Sequence, residues 1–265
     1  MTPLMKYVCM RFKNSFFATL YNNGFRMRRL YEVYQSGSLW DPIEYTIDHS
    51  RKLVYLVISK VACSSIKAAF LEEEIPDNYS IHYTLTQKGF RKQGSELNDE
   101  EKTYFKFSFV RNPFDRIVSC YESKLRIDSE RFNKNDFSNY FYGYIAKDEG
   151  FETFVEKICS IPSRFCDRHF VPQYLLLYDQ QKNCRVDFIG HFETLEEGFK
   201  PIQEKYNLKP LGHYNNSGSR DYREYYTLKT ARMIYRKYKK DIKTFGYEQS
   251  YRDLIAYIKK KNRTK

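Results

Sequence analysis

The chain predicts an α/β fold: a central, mostly parallel sheet flanked by helices. Three observations predict it. Leu53 to Ile58 is an unbroken apolar run of strand length, the pattern of a strand buried on both faces in a parallel sheet. Phe105, Phe107, Phe109 and Val110 make a second buried strand. Each run passes through a short turn directly into a helical pattern, the repeating unit of such a sheet. With 265 residues and 42% apolar content, the chain has material for one large domain with a substantial core.

Residues 1–50 carry weak signals: turns at Tyr21–Gly24 and Ser36–Ser38, with a short helical stretch between them. The first strong unit starts at Leu53. Its strand leads into Ser59-Lys60-Val61-Ala62-Cys63-Ser64-Ser65, after which Ile66, Ala69 and Phe70 open a helix with Lys67 on another face. A loop of small residues ending in hydroxyls at a helix start directs backbone N–H groups and the positive helix end at an anion. Lys60 adds a mobile charge, and Ser64 and Ser65 add donors. This is P-loop physics without the P-loop pattern, because the chain contains no Gly-Lys pair. No acidic residue is evidently placed for magnesium either, which argues against an ATP- or GTP-hydrolysing enzyme and against a P-loop kinase.

Between the two units, Glu72-Glu73-Glu74 reads as an exposed helix end, Pro76-Asp77-Asn78 as a turn, and Asn98 to Lys102 as a short helix. His82 is the single histidine of this interval. The second unit runs from Phe105 to Lys124. Arg111-Asn112-Pro113 ends the strand. Pro113 suits the first helical position, and Ile117, Val118, Tyr121 and Leu125 continue at helical spacing. Arg111 therefore stands at the turn, and Ser119 about two helical turns beyond it.

Residues 126–150 are polar and then tyrosine-rich, and read as a lid or substrate-facing loop. Phe151 to Ile158 is a helix with Phe151, Phe154, Val155 and Ile158 on one face. Val186 to Phe192 is another strand. Thr194-Leu195-Glu196-Glu197 reads as a capping box opening a helix to about Tyr206. Glu193, at the strand end, is the one residue of this block that is a candidate for the site rather than the architecture. Leu211 to Arg220 is a turn-rich loop. A last long helix spans Thr227 to about Ile242, and Tyr251 to Lys265 is a basic, helical, peripheral tail.

Lys and Arg outnumber Asp and Glu by 45 to 33, for a net charge of +12, which favours an anionic partner. The six cysteines form no CxxC pair, and Cys159, Cys166 and His169 lack the spacing of a zinc site, so free thiols and no metal are expected. No apolar run approaches a bilayer span, and Met1 to Lys13 is too interrupted by charge for a secretory signal. A cytoplasmic protein is the expectation; the Golgi lumen, as the alternative for a shortened eukaryotic chain, is what a family resemblance alone implies. Arg26, Arg28 and Arg29 form a small basic cluster that reads as a solvated helix face first and as a peripheral membrane contact second.

Together, Lys60-Val61-Ala62-Cys63-Ser64-Ser65 and Phe109-Val110-Arg111-Asn112-Pro113-Phe114-Asp115-Arg116-Ile117-Val118-Ser119, with Asp187-Phe188-Ile189-Gly190 and Phe245-Gly246-Tyr247, resemble the family-2 carbohydrate sulfotransferases of the chondroitin/dermatan 4-O-sulfotransferase type and their bacterial relatives. The resemblance spans Lys52 to Tyr247. It implies a P-loop-NTPase-like sulfotransferase fold over residues 51–250, with 1–50 as an extension of unassigned role and 251–265 as a basic tail. It implies 3′-phosphoadenosine 5′-phosphosulfate (PAPS) as co-substrate. Lys60, Val61, Ala62, Cys63, Ser64 and Ser65 would line the 5′-phosphosulfate subsite, and Arg111 and Ser119 the 3′-phosphate subsite, with Arg220 as a further contact.

In heparan 2-O-sulfotransferases, a histidine between the two motifs is the base, which makes His82 one candidate. His169, in the His-aromatic-x-Pro-Gln element, is the other, with Arg168 and Gln173 as acceptor contacts. The acceptor implied is a carbohydrate hydroxyl on a polysaccharide, glycolipid or oligosaccharide, whose acidity would suit the basic surplus; no nucleic acid is implied. The rival reading is a non-catalytic basic protein that binds acidic glycan or nucleic acid through charge and aromatic faces.

Overall fold

The apolar run after Arg51 forms strand β2 (Leu53–Leu56), every residue of which is buried. A computed structural model of the protein describes residues 43–72, 81–94, 96–126, 139–140, 145–146, 149–163, 166–212 and 221–263. Beside β2 lies β1 (Glu44–Asp48), paired antiparallel in a register that sets Tyr45 opposite Leu56. On the other side β4 (Phe105–Val110) pairs parallel with β2, and β7 (Phe188–His191) pairs parallel with β4. The short β3 (Arg91–Gln93) closes the far edge, antiparallel to β1. The order β3-β1-β2-β4-β7 leaves a parallel core of β2, β4 and β7, as the apolar runs predict. A separate two-stranded ribbon pairs β5 (Asn139–Tyr140) with β6 (Ile145–Ala146).

Helices follow the strands as expected. α1 (Cys63–Ala69) succeeds β2 and α4 (Pro113–Tyr121) succeeds β4, with Pro113 in its first turn and the Asn112 side chain accepting from the Phe114 N–H. α4 then widens into a π-type turn, Glu122–Arg126, which carries Lys124. α2 (Ile81–Gln87) and α3 (Asp99–Lys102) lie between the two units, α3 opened by a capping box of Asn98 and Glu101. α5 (Phe151–Ser160) and α6 (Gln173–Leu177) precede β7, and α7 (Leu195–Tyr206) follows it. Phe107 forms the aromatic centre of the core, stacked on Tyr55 at 5.2 Å and on Phe70 at 6.3 Å. β7 approaches it closely: a Cβ on Gly190 would sit 2.2 Å from Cε1 of Phe109, so the Asp-Phe-Ile-Gly block needs its glycine for packing.

Three sequence expectations change. Thr194 makes no side-chain cap; a 3₁₀ turn, Phe192–Thr194, leads into α7 instead. The last long helix breaks at Tyr238 into α8 (Leu228–Lys237) and α9 (Lys239–Thr244). The residues expected as a peripheral tail belong to α10 (Glu248–Arg263), which buries Leu254 and Ile258 and stacks Tyr251 on Phe114 and Tyr235. The apolar stripe of α10 thus joins the core, and only its outer face is basic. No helix among the described residues is long and apolar enough to cross a membrane.

Candidate functional site

The site gathers beyond the C-terminal ends of β2 and β4, where a parallel sheet presents its turns. After β2 the backbone enters the left-handed region at Lys60 (φ 71°) and again at Ala62 (φ 47°), both disfavoured for residues with a Cβ. This bend starts α1 with no side-chain cap at Ala62, so the N–H groups of its first turn have no capping side chain. The hydroxyls of Ser64 and Ser65 make no hydrogen bond among the described residues. The Lys60 ammonium likewise has no ion pair among them, although the residue is mostly buried. Burial lowers its pKa; the neighbouring Cys120 and Cys63 thiols oppose the shift, and the Lys124 and Arg111 charges add to it. A partly desolvated cation beside uncapped donors is a fit for a phosphosulfate.

Arg111 joins this loop directly. Its Nη1 donates to the Lys60 carbonyl at 3.0 Å, its Nε to Asp115 at 2.7 Å, and its guanidinium lies 4.1 Å from the centre of the Phe192 ring. The Nη2 side is without a partner among the described residues. Gln173 fixes the turn from below, its Oε1 accepting from the Arg111 N–H and its Nε2 donating to the Arg111 carbonyl, each at 2.9 Å. Gln173 is fully buried, so it holds Arg111 rather than facing an acceptor, contrary to the sequence expectation. Glu193 is likewise engaged, accepting from the Asn112 N–H at 2.7 Å and from the Tyr247 hydroxyl at 2.9 Å. Tyr247, of the Phe-Gly-Tyr ending, also meets His191 at 3.1 Å. Ser119 is half-buried on α4, next to Cys120, whose thiol burial raises to a pKa of about 11.

A second cluster lies beside the first loop. Glu44 of β1 is buried and meets three cations: Lys67 of α1, Arg91 of β3 at 3.0 Å and Arg168 at 2.9 Å. Burial opposes its charge, but these cations prevail and hold its pKa down at about 2. Lys67, on another face of α1 from Ile66, Ala69 and Phe70, is fully buried as well. Its ammonium also reaches His82 Nδ1 at 3.2 Å. His82 is neutral down to a pKa of about 4, first because of burial and then because of the Lys67 charge. Arg168 completes the link to the first loop, its Nε donating to the Ser59 hydroxyl at 3.2 Å.

His169 stands on the other side of Arg168. Its Nδ1 is 2.5 Å from Asp167 Oδ1, which also accepts the His169 backbone N–H at 2.9 Å. Burial lowers the His169 pKa, the Asp167 hydrogen bond and charge raise it, and Lys124 lowers it again. Lys124 thus acts on both His169 and Lys60.

Sequence reasoning missed the residues that tie these parts together. Arg116, the second arginine of the Arg-Asn-Pro-Phe-Asp-Arg motif, is buried and donates to Ser59 O at 3.0 Å, Val171 O at 2.7 Å and Arg168 O at 3.2 Å. Asp241 accepts from the Gln173 and Tyr174 N–H groups at 2.8 and 2.9 Å, capping α6; burial raises its pKa to about 6. Glu44 and Lys67 complete the list. A charged residue inside an otherwise apolar helix start was the available signal for Lys67. Arg220, the basic cluster at Arg26 to Arg29 and most of the tyrosine-rich lid lie outside the described residues.

Comparison with known proteins bears on this arrangement. The model of a family described as the sulfotransferase family matches residues 44–248, from the first residue of β1 into α10. The chain belongs to the sulfotransferase family. Carbohydrate sulfotransferase 10 of Xenopus laevis is 26% identical over 223 residues, covering 73% of this chain and 60% of that protein. Carbohydrate sulfotransferase 11 of Rattus norvegicus is 28% identical, covering 57% of this chain and 49% of its own length. Carbohydrate sulfotransferase 12 of Mus musculus is 25% identical, covering 76% and 59%. The chain therefore spans about half to three-fifths of the length of these curated relatives. No solved structure matches. The match begins at Glu44, so the family region includes β1, in the stretch that the sequence left unassigned.

Proposed function

We propose that the protein is a PAPS-dependent sulfotransferase that moves a sulfuryl group to a carbohydrate hydroxyl and releases PAP. One observation carries the reading: the Arg111 guanidinium donates to the Lys60 carbonyl, so both anion motifs meet at one sheet edge. A nucleotide with phosphate at its 3′ and 5′ positions suits two anion sites so joined. The names of the curated relatives support a carbohydrate acceptor.

In this reading, the N–H groups at the start of α1, with Ser64 and Ser65, bind the 5′-phosphosulfate. Arg111, through its Nη2 side, and Ser119 hold the 3′-phosphate. Lys60 stabilises the charge that builds on the bridging oxygen as the bond to sulfur breaks. Because burial lowers its pKa while no carboxylate among the described residues pairs with it, its charge is directed at the substrate. Sulfuryl transfer is in-line and loose, so orientation and electrostatics dominate. Gln173, Glu193 and Arg116 hold the turns in place. A histidine takes the acceptor proton.

The test is calorimetric titration of PAP, followed by transfer of labelled sulfate from PAPS to a panel of desulfated chondroitin, dermatan and heparosan. The reading expects PAP binding that is weakened at least tenfold by Lys60→Ala and by Arg111→Ala. Salt-sensitive polyanion binding indifferent to both changes would instead establish the non-catalytic basic protein.

A further inference from the structure

Helices α8 and α9 carry a charge pattern that the nucleotide site does not use. Residues 228–244 include seven Lys and Arg residues and a single acidic one, Asp241. Asp241 is buried and turned inward, onto the Gln173 and Tyr174 N–H groups. Two of the cations are engaged as well: Lys229 pairs with Glu152 and Glu156 of α5, and Lys237 donates to the Ile161 carbonyl. Arg232, Arg236, Lys239, Lys240 and Lys243 are exposed and meet no carboxylate among the described residues. Lys240 lies over the Tyr174 ring, 4.9 Å from its centre. The other four follow at intervals of four, three and four residues, on the face opposite the buried Ala231, Ile234, Tyr238 and Ile242. The row continues through the break at Tyr238, because the Tyr238 N–H donates to Ile234 O at 2.9 Å and the Ile242 N–H to Tyr238 O at 3.0 Å. Exposed lysines such as Lys102 and Lys200 have a carboxylate within one turn, Asp99 at 2.8 Å and Glu204 at 4.0 Å. In the row the neighbours one turn away are like charges, which destabilise a helix.

We propose that this row is a docking surface for an acidic polysaccharide, outside the transfer site. The proposal rests on the sulfuryl-transfer reading above, in which the acceptor belongs to a carbohydrate. Spacing and shape select the occupant. One cation per helical turn is one per about 5.4 Å, close to the length of one sugar in an extended chain. A linear polymer with a carboxylate or sulfate on its successive sugars matches that spacing. Duplex nucleic acid carries a charge every ~1.7 Å of its axis, far denser than the row. A lipid surface is a plane that also takes apolar anchors, and α8 and α9 expose no large apolar side chain. The row is fixed relative to the nucleotide site. Asp241 of α9 caps α6 at Gln173, and Gln173 holds the Arg111 turn. A long chain held on the row is tethered beside the transfer site, which raises the local concentration of its hydroxyls. A short oligosaccharide that fills only the transfer site gains nothing from the row.

The test is fluorescence anisotropy of labelled chondroitin sulfate and heparin chains, titrated with the full chain at fixed salt. Two triple variants each remove three positive charges. Arg236→Gln with Lys239→Gln and Lys243→Gln takes them from the row, and Lys102→Gln with Lys200→Gln and Lys229→Gln takes them from paired positions. Three exposed charge contacts amount to about tenfold in affinity, so the row variant should bind about tenfold more weakly and the paired variant within about twofold of wild type. The row variant should keep the wild-type unfolding midpoint and PAP affinity, because its three side chains touch neither the core nor the cradle. With any glycan of the panel that accepts sulfate, it should raise KM for the polymer at unchanged kcat, and change neither for a tetrasaccharide of the same glycan. The proposal is overturned if wild type binds neither polymer, if the row variant binds as wild type does, or if both triples weaken binding equally, the effect of net charge alone. It is also overturned if the row variant's defect appears only with phosphatidylserine vesicles or duplex DNA. If no glycan accepts sulfate while the row-specific loss of binding persists, the transfer reading fails and the docking surface stands.

Discussion

Lys60 and Lys67 stand seven residues apart on the same strand–turn–helix unit, and burial lowers the pKa of both. Their partners differ. Lys67 is fully buried and paired with Glu44, within a network that also holds Arg91 and Arg168. Lys60 sits in a strained turn with no ion pair among the described residues, beside uncapped helix N–H groups. In the proposed reading, the same side chain is architecture in one place and chemistry in the other. What separates them is whether the fold supplies the counter-charge or leaves it to a substrate.

That contrast is most open to attack at Glu44. Glu44→Ala would leave Lys67 buried without its carboxylate, and breaking a buried pair in this way typically costs about 3–5 kcal/mol. Urea unfolding should show a loss of this order. A change under 1 kcal/mol would mean that the cluster is not structural. Lys60→Ala should do the reverse, with an unfolding midpoint close to wild type and kcat lowered by about 10²- to 10³-fold, the typical effect of losing one transition-state donor.

The pH dependence sharpens the same comparison. The folded pKa of Glu44 is held near 2, below its ordinary 4.5. A carboxylate depressed in the folded state contributes stability that is complete above its unfolded pKa. This contribution should be lost as pH falls from about 4.5 towards 2, a loss visible in acid titration by circular dichroism and reduced in Glu44→Gln. Asp241 has the opposite sign. Its folded pKa is raised to about 6, so its contribution is present below 3.8 and lost as pH rises through 6. The smallest effect is expected at Tyr247→Phe, which removes the hydrogen bond to Glu193 and should cost about 1 kcal/mol.

The sequence showed the parts whose signals are local. β2 and β4 are continuous apolar runs, and their turns carry small residues, a lysine or an arginine. β1 was not legible, because Glu44, Thr46 and Asp48 alternate with Tyr45 and Ile47 as in a half-exposed strand, yet all five are buried. Its polar face is hidden because the Glu44 counter-charges arrive from residues 67, 91 and 168, far along the chain. The pairing of Lys67 with Glu44 was hidden for the same reason. Gln173 looked like a substrate contact because it neighbours His169 in sequence; only the fold sets it under Arg111, 62 residues away. Local pattern thus located the two strand–turn–helix units, while the long-range pairs that hold them required the structure.

The most direct measurement of the central claim is the affinity for PAP of four proteins: wild type, Lys60→Ala, Arg111→Ala and the double variant. If one cradle spans both motifs, each single change weakens binding at least tenfold. Because Arg111 contacts the Lys60 loop itself, the double variant then loses less than the product of the two. If PAP binds all four equally, or the two effects multiply as for unconnected sites, the joined cradle is contradicted.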